Sequence, residues 1–150
     1  MMVPLFFCLG FMFAVLYIDM TFDGSARGHR QSGAPLPPAV LGPIQSYYRI
    51  ITKNPVLLVC ILTTALGSII TQIVRGLVPV WAGYASLALI LATMLTGVLK
   101  IIPMAQRMAS GKDTVAEQTR IVHTMLPFHG VMMVNVWLLI AVQVIAKYWK

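Results

Sequence analysis

The sequence predicts an all-α integral membrane protein: four antiparallel transmembrane helices, with a short interfacial helix in the first loop. Three observations carry this. The chain is 59% apolar and only 10% charged, with a mean hydropathy of +0.84, far from the composition of a water-soluble domain. Its apolar residues gather in four runs, each long enough at 1.5 Å per residue to cross roughly 30 Å of hydrocarbon. The runs do not alternate apolar with polar residues, which excludes a barrel. Helices then remain as the structure that can satisfy its own backbone in lipid. The 150 residues read as one four-helix domain.

The first run, about residues 2–21, opens VPLFFCLGFMFAVLYI and has no charge before Asp19. It lacks the basic start and small-residue cleavage site of a signal peptide, so it reads as a retained span. Asp19 and Asp23, four residues apart at its end, share one helical face. The long loop that follows is Gly/Ser/Arg-rich and then stiffened by Pro35, Pro37 and Pro38. From Val40 to Ile51 an apolar pattern carries Tyr47, Tyr48 and Arg49. This suggests an interfacial helix with its tyrosines at headgroup depth and its bases snorkelling.

Asn54-Pro55 is a helix-start signal for the second span, about residues 55–74. Thr63, Gly67 and Thr71 recur there at four-residue intervals, a stripe of small residues that lets another helix approach closely. Arg75-Gly76 marks a hairpin. The third span, about residues 79–102, begins at Pro79 with Trp81 as an interface anchor. It carries Ala82, Ser86, Thr93 and Gly97 as further small contacts and ends at Lys100 and Pro103. Residues 104–113 read as a second basic loop.

Thr114-Val-Ala-Glu117 has the form of a capping box, so a helix starts near residue 114 and leads into the fourth span, about residues 124–146. Pro127 leaves two readings open. Either a continuous helix loses the hydrogen bond to the His123 carbonyl, or Pro127 is an early residue of a separate span. Asn135 and Gln143 are the strongly polar interior residues, and Lys147-Tyr-Trp-Lys150 closes the chain as an aromatic and basic belt.

Lysine and arginine outnumber aspartate and glutamate 11 to 4. In a soluble domain such a balance would raise nucleic acid as a partner. Here the bases flank spans, where they set topology and meet anionic lipid headgroups, and no nucleic acid is expected. Arg27, Arg30, Arg49, Lys53, Lys100, Arg107, Lys112 and Arg120 fall on one side, and Arg75, Lys147 and Lys150 on the other. The imbalance predicts that loops 24–54 and 103–123 face the cytoplasm, or the equivalent organelle compartment, with both termini opposite. Cys8 and Cys60 both lie in apolar runs, without the spacing of a zinc site or redox motif.

The four-span topology brings Asp19 and Asp23 to the side where His123 and His129 enter the last span. Two carboxylates and two imidazoles could hold a hard metal ion or relay protons. The plainer expectation is structural: Asp19 paired with Lys100, and Asp23 with Arg107 or Arg120. His123 and His129 are six residues apart, about 240° round an ideal helix, and share no face unless Pro127 distorts it. No phosphate loop, nucleophile elbow or catalytic triad order occurs, and no motif requires a cofactor. The leading expectation is therefore a non-catalytic subunit or assembly partner of a larger membrane complex, or a self-associating protein. A small membrane-embedded metal-binding or redox enzyme using the Asp/His cluster is the alternative, and a proton or small-solute transporter the second.

Overall fold

The computed structural model describes residues 2–149 other than Gly33 and Asn54, with the side chains of residues 30–32 also outside the description. The described chain is helical throughout: α1 (Met2–Gly24), a 3-10 turn (Arg27–Ser32), α2 (Pro38–Lys53), α3 (Val56–Val74), α4 (Val80–Thr96), a π segment (Gly97–Ile101), α5 (Ile102–Ser110) and α6 (Val115–Tyr148). Four continuous helical stretches are long and apolar enough to cross a membrane, beginning at Met2, Val56, Val80 and Val115. The expected Asn54 cap and the Lys150 end of the terminal belt lie outside the described residues.

One stripe on each long helix builds the main core. On α1 it runs Leu5, Leu9, Met12, Leu16 at alternating steps of four and three, the spacing that keeps residues on one face. It meets Ile61, Ala65 and Ile69 of α3, Ile90 of α4, and Val136 and Leu139 of α6. The outer surface is apolar as well: Phe7, Leu57, Val80, Leu95, Val134 and Trp137 are all more than half exposed. A ring of that extent suits hydrocarbon rather than water.

Close approach between α3 and α4 occurs at Gly83, where a β-carbon would sit 2.7 Å from Ile73 Cγ1. The small residues of α4 face inward, with Ala82, Ser86 and Thr93 buried. Those of α3 do not. Thr63 and Gly67 are exposed, and a β-carbon at Gly67 would meet nothing within 4 Å. Gly97 rests against Met132.

Two boundaries differ from the sequence reading, and one alternative it left open is decided. The helix of the third span does not end at Lys100 and Pro103. The helix passes through the π segment, where the Ile102 N–H reaches back five residues to the Gly97 carbonyl, and continues to Ser110. Pro103 cannot donate to the carbonyl four residues before it, and the slipped register absorbs that loss. Most of the expected second basic loop is thus helix α5, which Gly111 closes in the left-handed conformation (φ 62°). Finally, α6 runs unbroken through Pro127, about 51 Å for its 34 residues, so the continuous alternative holds. The Thr114 hydroxyl accepts from the Glu117 N–H, as the capping box requires. The reciprocal half is not made: the Glu117 carboxylate bonds Arg107 and Arg120 instead.

A second core lies beneath α2. Leu41, Ile44 and Tyr48 pack with Ala105 and Met108 of α5 and with Ile121, Val122 and Met125 of α6. The Leu36 N–H donates to the Thr119 hydroxyl (2.9 Å), and Gln45 bonds Gln118, which fastens the first loop to the start of α6. Tyr48 is fully buried and Tyr47 half-buried.

Candidate functional site

The buried stripe of α1 does not stop at Leu16. Its next positions, three and seven residues on, are Asp19 and Asp23, so both carboxylates point into the bundle. The buried stripe of α6 runs Val122, Met125, His129, Val136, Leu139, Gln143, again in steps of three, four or seven. His129 therefore meets the two acids where these stripes cross. Asp19 is 6% exposed, and Asp23 and His129 are 0%.

The hydrogen bonds set the roles of these groups. The Tyr48 hydroxyl donates to Asp23, lying 2.9 Å from each carboxylate oxygen. Asp23 Oδ2 also lies 2.9 Å from His129 Nδ1. A carboxylate already receiving a phenol hydroxyl is an acceptor, so Nδ1 carries the imidazole hydrogen and donates it. In the neutral ring His129 Nε2 is then a lone pair. It is buried and has no hydrogen-bond partner among the described residues. The nearest charge is Asp19 Oδ2, 3.8 Å away. Asp19 Oδ1 accepts from the Tyr47 hydroxyl (2.5 Å), whose ring stacks on Phe22 at 4.4 Å. Burial, and after it the adjoining carboxylates, hold both phenols well above their ordinary pKa, so they stay protonated as donors.

The cluster forms the polar end of a cavity of about 190 Å³ between α1, α2, α3 and the α4–α5 bend, to which Asp19, Tyr48 and His129 contribute. Its walls are otherwise mainly apolar, among them Met12, Leu16, Leu62, Met94, Ile101 and Met132. Cavities with such walls accept hydrocarbon more readily than water. The bend matters here: Gly97, Val98 and Ile101 of the π segment line the space, and π-bulges often accompany functional sites.

The structure thus joins Asp19, Asp23 and His129. His123 sits off the α6 stripe and does not line the cavity. The expected basic partners are elsewhere. Arg107 pairs with Asp113 (3.1 Å) and Glu117 (2.9 Å), and Arg120 with Glu117 (2.8 Å). Lys100 is exposed in the π segment, and among the described residues Asp19 and Asp23 approach the His129 ring rather than a lysine or arginine. These bases point outward because the α4 and α6 stripes that face the acids are filled by apolar residues and His129. Among the described residues, no group of three or more His, Cys, Asp and Glu side chains is arranged to hold a metal ion. His129 Nδ1 is spent on Asp23, and tyrosines occupy carboxylate oxygens that a metal would need.

Tyr47 and Tyr48 are the site residues that sequence reasoning missed. Their signal was present: two adjacent hydroxyls on an amphipathic helix, facing two acids one turn apart. A further buried polar group lies in the same bundle, where Gln143 Nε2 donates to the Ser86 hydroxyl (2.8 Å) and the Gln72 amide is 1% exposed. No protein-family model, curated protein or solved structure matches this chain.

Proposed function

We propose that this is a small multi-pass membrane protein that holds a lipid-soluble molecule in the bundle cavity and exchanges a proton with it at His129. One observation carries the reading: a buried imidazole, oriented through Nδ1 by Asp23 and unpartnered at Nε2, lines a mainly apolar cavity. A carboxylate that fixes the tautomer and a free second nitrogen make up the arrangement of a general base. In this reading the four spans run antiparallel, α2 lies along one membrane interface over the cluster, and loops 24–54 and 103–123 face the cytoplasm. The basic excess of those loops supports that sidedness. Anionic headgroups then meet their lysines and arginines.

The test is photolabelling in lipid nanodiscs with an alkyl diazirine bearing an uncharged hydroxyl head. The expected adducts concentrate on the peptides that contain Met12–Asp19 and Gly97–Gln106, and Ala105→Leu, which narrows the cavity, reduces them. Labelling spread evenly over the lipid-facing residues, unchanged by Ala105→Leu, would remove the basis for the reading.

A second reading, a subunit or self-associating partner in a larger membrane complex, is favoured by the α3 stripe. Thr63 and Thr71 turn their hydroxyls back to the Val59 and Gly67 carbonyls (2.8 and 2.7 Å). They leave methyl groups beside the open Gly67, a face against which another membrane helix fits closely. Both readings can hold for one chain.

A further inference from the structure

The polar end of the cavity is made of acceptors. Asp19 Oδ2 and His129 Nε2 lie 3.8 Å apart, and neither has a hydrogen donor among the described residues, since the Tyr47 hydroxyl is directed to Asp19 Oδ1 and the Tyr48 hydroxyl to Asp23. A molecule that completes this end must bring the donor. The charge balance narrows its class. Two carboxylates share one imidazole, and no lysine or arginine lines the cavity or pairs with either acid among the described residues. Buried charges left without a counter-charge are costly, and removing one partner of a buried pair is far worse than keeping both. An anionic head would deepen the deficit, a hydroxyl would satisfy the acceptors without reducing it, and a cation would do both.

An inorganic cation fits poorly. It needs four or more ligand atoms, whereas Asp23 and one oxygen of Asp19 are already engaged by tyrosines and His129. The rest of the cavity is hydrocarbon-like. Its open side also carries apolar residues that are exposed on the outer surface, Ile51 (37%), Leu58 (36%), Val98 (53%) and Ile102 (39%). A rim of that composition suits lipid, which favours lateral access, from within the bilayer.

We infer that the cavity binds an amphiphilic amine: a hydrocarbon or aromatic body that enters from the bilayer through the Ile51–Ile102 rim and places one ammonium group between Asp19 and His129. This rests on the cavity-binding reading above and adds the chemistry of the head. An ammonium has three hydrogens, enough to bond Asp19 Oδ2 and His129 Nε2 together, and charge-assisted bonds of this kind are roughly twice as strong as neutral ones.

The experiment compares dodecylamine, dodecanol and dodecanoate as competitors of the diazirine label in phosphatidylcholine nanodiscs, at matched mole fractions in the bilayer. Three heads on one tail isolate the head. Dodecylamine is expected to halve cavity labelling at roughly tenfold lower mole fraction than dodecanol, a difference of about 1.4 kcal/mol, with dodecanoate weakest. Asp19→Asn should remove most of the amine's tenfold advantage over the alcohol. Dodecanol competing as well as dodecylamine on the wild-type protein would overturn the inference and leave cavity binding standing. Failure of the label to favour cavity peptides at all would instead remove the underlying reading. The wild-type comparison decides the matter even if Asp19→Asn folds poorly. Doping the nanodiscs with phosphatidylethanolamine separates sources: a free amine leaves the competition curve unshifted, and a shift as large as that from dodecylamine overturns entry as a single-tailed amine in favour of a lipid headgroup.

Discussion

Replacing Tyr48 by phenylalanine removes one oxygen atom from a fully buried ring and leaves its shape intact, so the change isolates a single donor. That hydroxyl lies 2.9 Å from both oxygens of Asp23, which is itself 0% exposed. Hydrogen bonds to charged groups contribute about 1.5–3 kcal/mol, and water has no ready path to replace this one. Tyr48→Phe is therefore expected to lower stability by about 1.5–3 kcal/mol. Tyr47→Phe, at a half-buried ring bonded to the slightly more exposed Asp19, should cost less, about 0.5–1.5 kcal/mol. Equilibrium unfolding by dodecyl sulfate in mixed micelles measures both. The pH dependence gives a second readout. The phenol's folded pKa is raised above the ordinary 10.0, so the unfolded chain loses this proton first. The contribution is fully present below about pH 10 and is lost as pH rises beyond it. Wild type should destabilise above that pH more steeply than Tyr48→Phe. A loss under about 0.5 kcal/mol, a larger effect at Tyr47, or parallel alkaline profiles would refute a Tyr48–Asp23 bond of this kind.

Three further outcomes follow from the packing. A double-mutant cycle of Asp23→Asn with His129→Gln should show coupling of about 0.5–3 kcal/mol, whereas Asp19→Asn with Lys100→Gln should be additive, since the exposed Lys100 does not meet the acid; unfolding of the four single and two double variants measures both. Gly83→Ala should destabilise by about 1–3 kcal/mol through the clash with Ile73, while Gly67→Ala, in open space, should be neutral or slightly stabilising; a subunit role for α3 adds that Gly67→Leu weakens association on gentle-detergent sizing with little change in monomer stability. Ser86→Ala strands the Gln143 amide and should cost about 1–3 kcal/mol by the same unfolding assay, with Thr96→Ala, whose hydroxyl merely returns to the Ala92 carbonyl, as the near-neutral control.

The fold was legible because lipid imposes a coarse constraint. Uninterrupted apolar length is visible in a sequence, and four helical stretches of that length are present. The ends were less legible. Pro103 and the bases around it read as a stop, but packing of Ala105 and Met108 on α2 carries the helix onward through a π segment. Asp19, Asp23 and His129 were visible as candidates, and their place in line with the apolar stripes was a signal of an inward face that the sequence reading did not use. Their partners were not visible. Charge counting favours Lys100 and Arg107, whereas the fold brings down an amphipathic helix that supplies neutral phenols. The α3 stripe shows the same limit: spacing identifies a smooth face, not which neighbour uses it.

Histidine nitrogen NMR of the protein in nanodiscs tests the oriented, open imidazole most directly, since the chain has only three histidines to distinguish. His129 should show a protonated Nδ1 and an unprotonated Nε2. Asp23→Asn should convert it to a mixture of tautomers, and the hydroxyl-headed alkyl probe should shift Nε2 in the wild type but not in Ala105→Leu. A hydrogen on Nε2 with a bare Nδ1, or an Nε2 signal indifferent to the probe, would contradict a general base held open to the cavity.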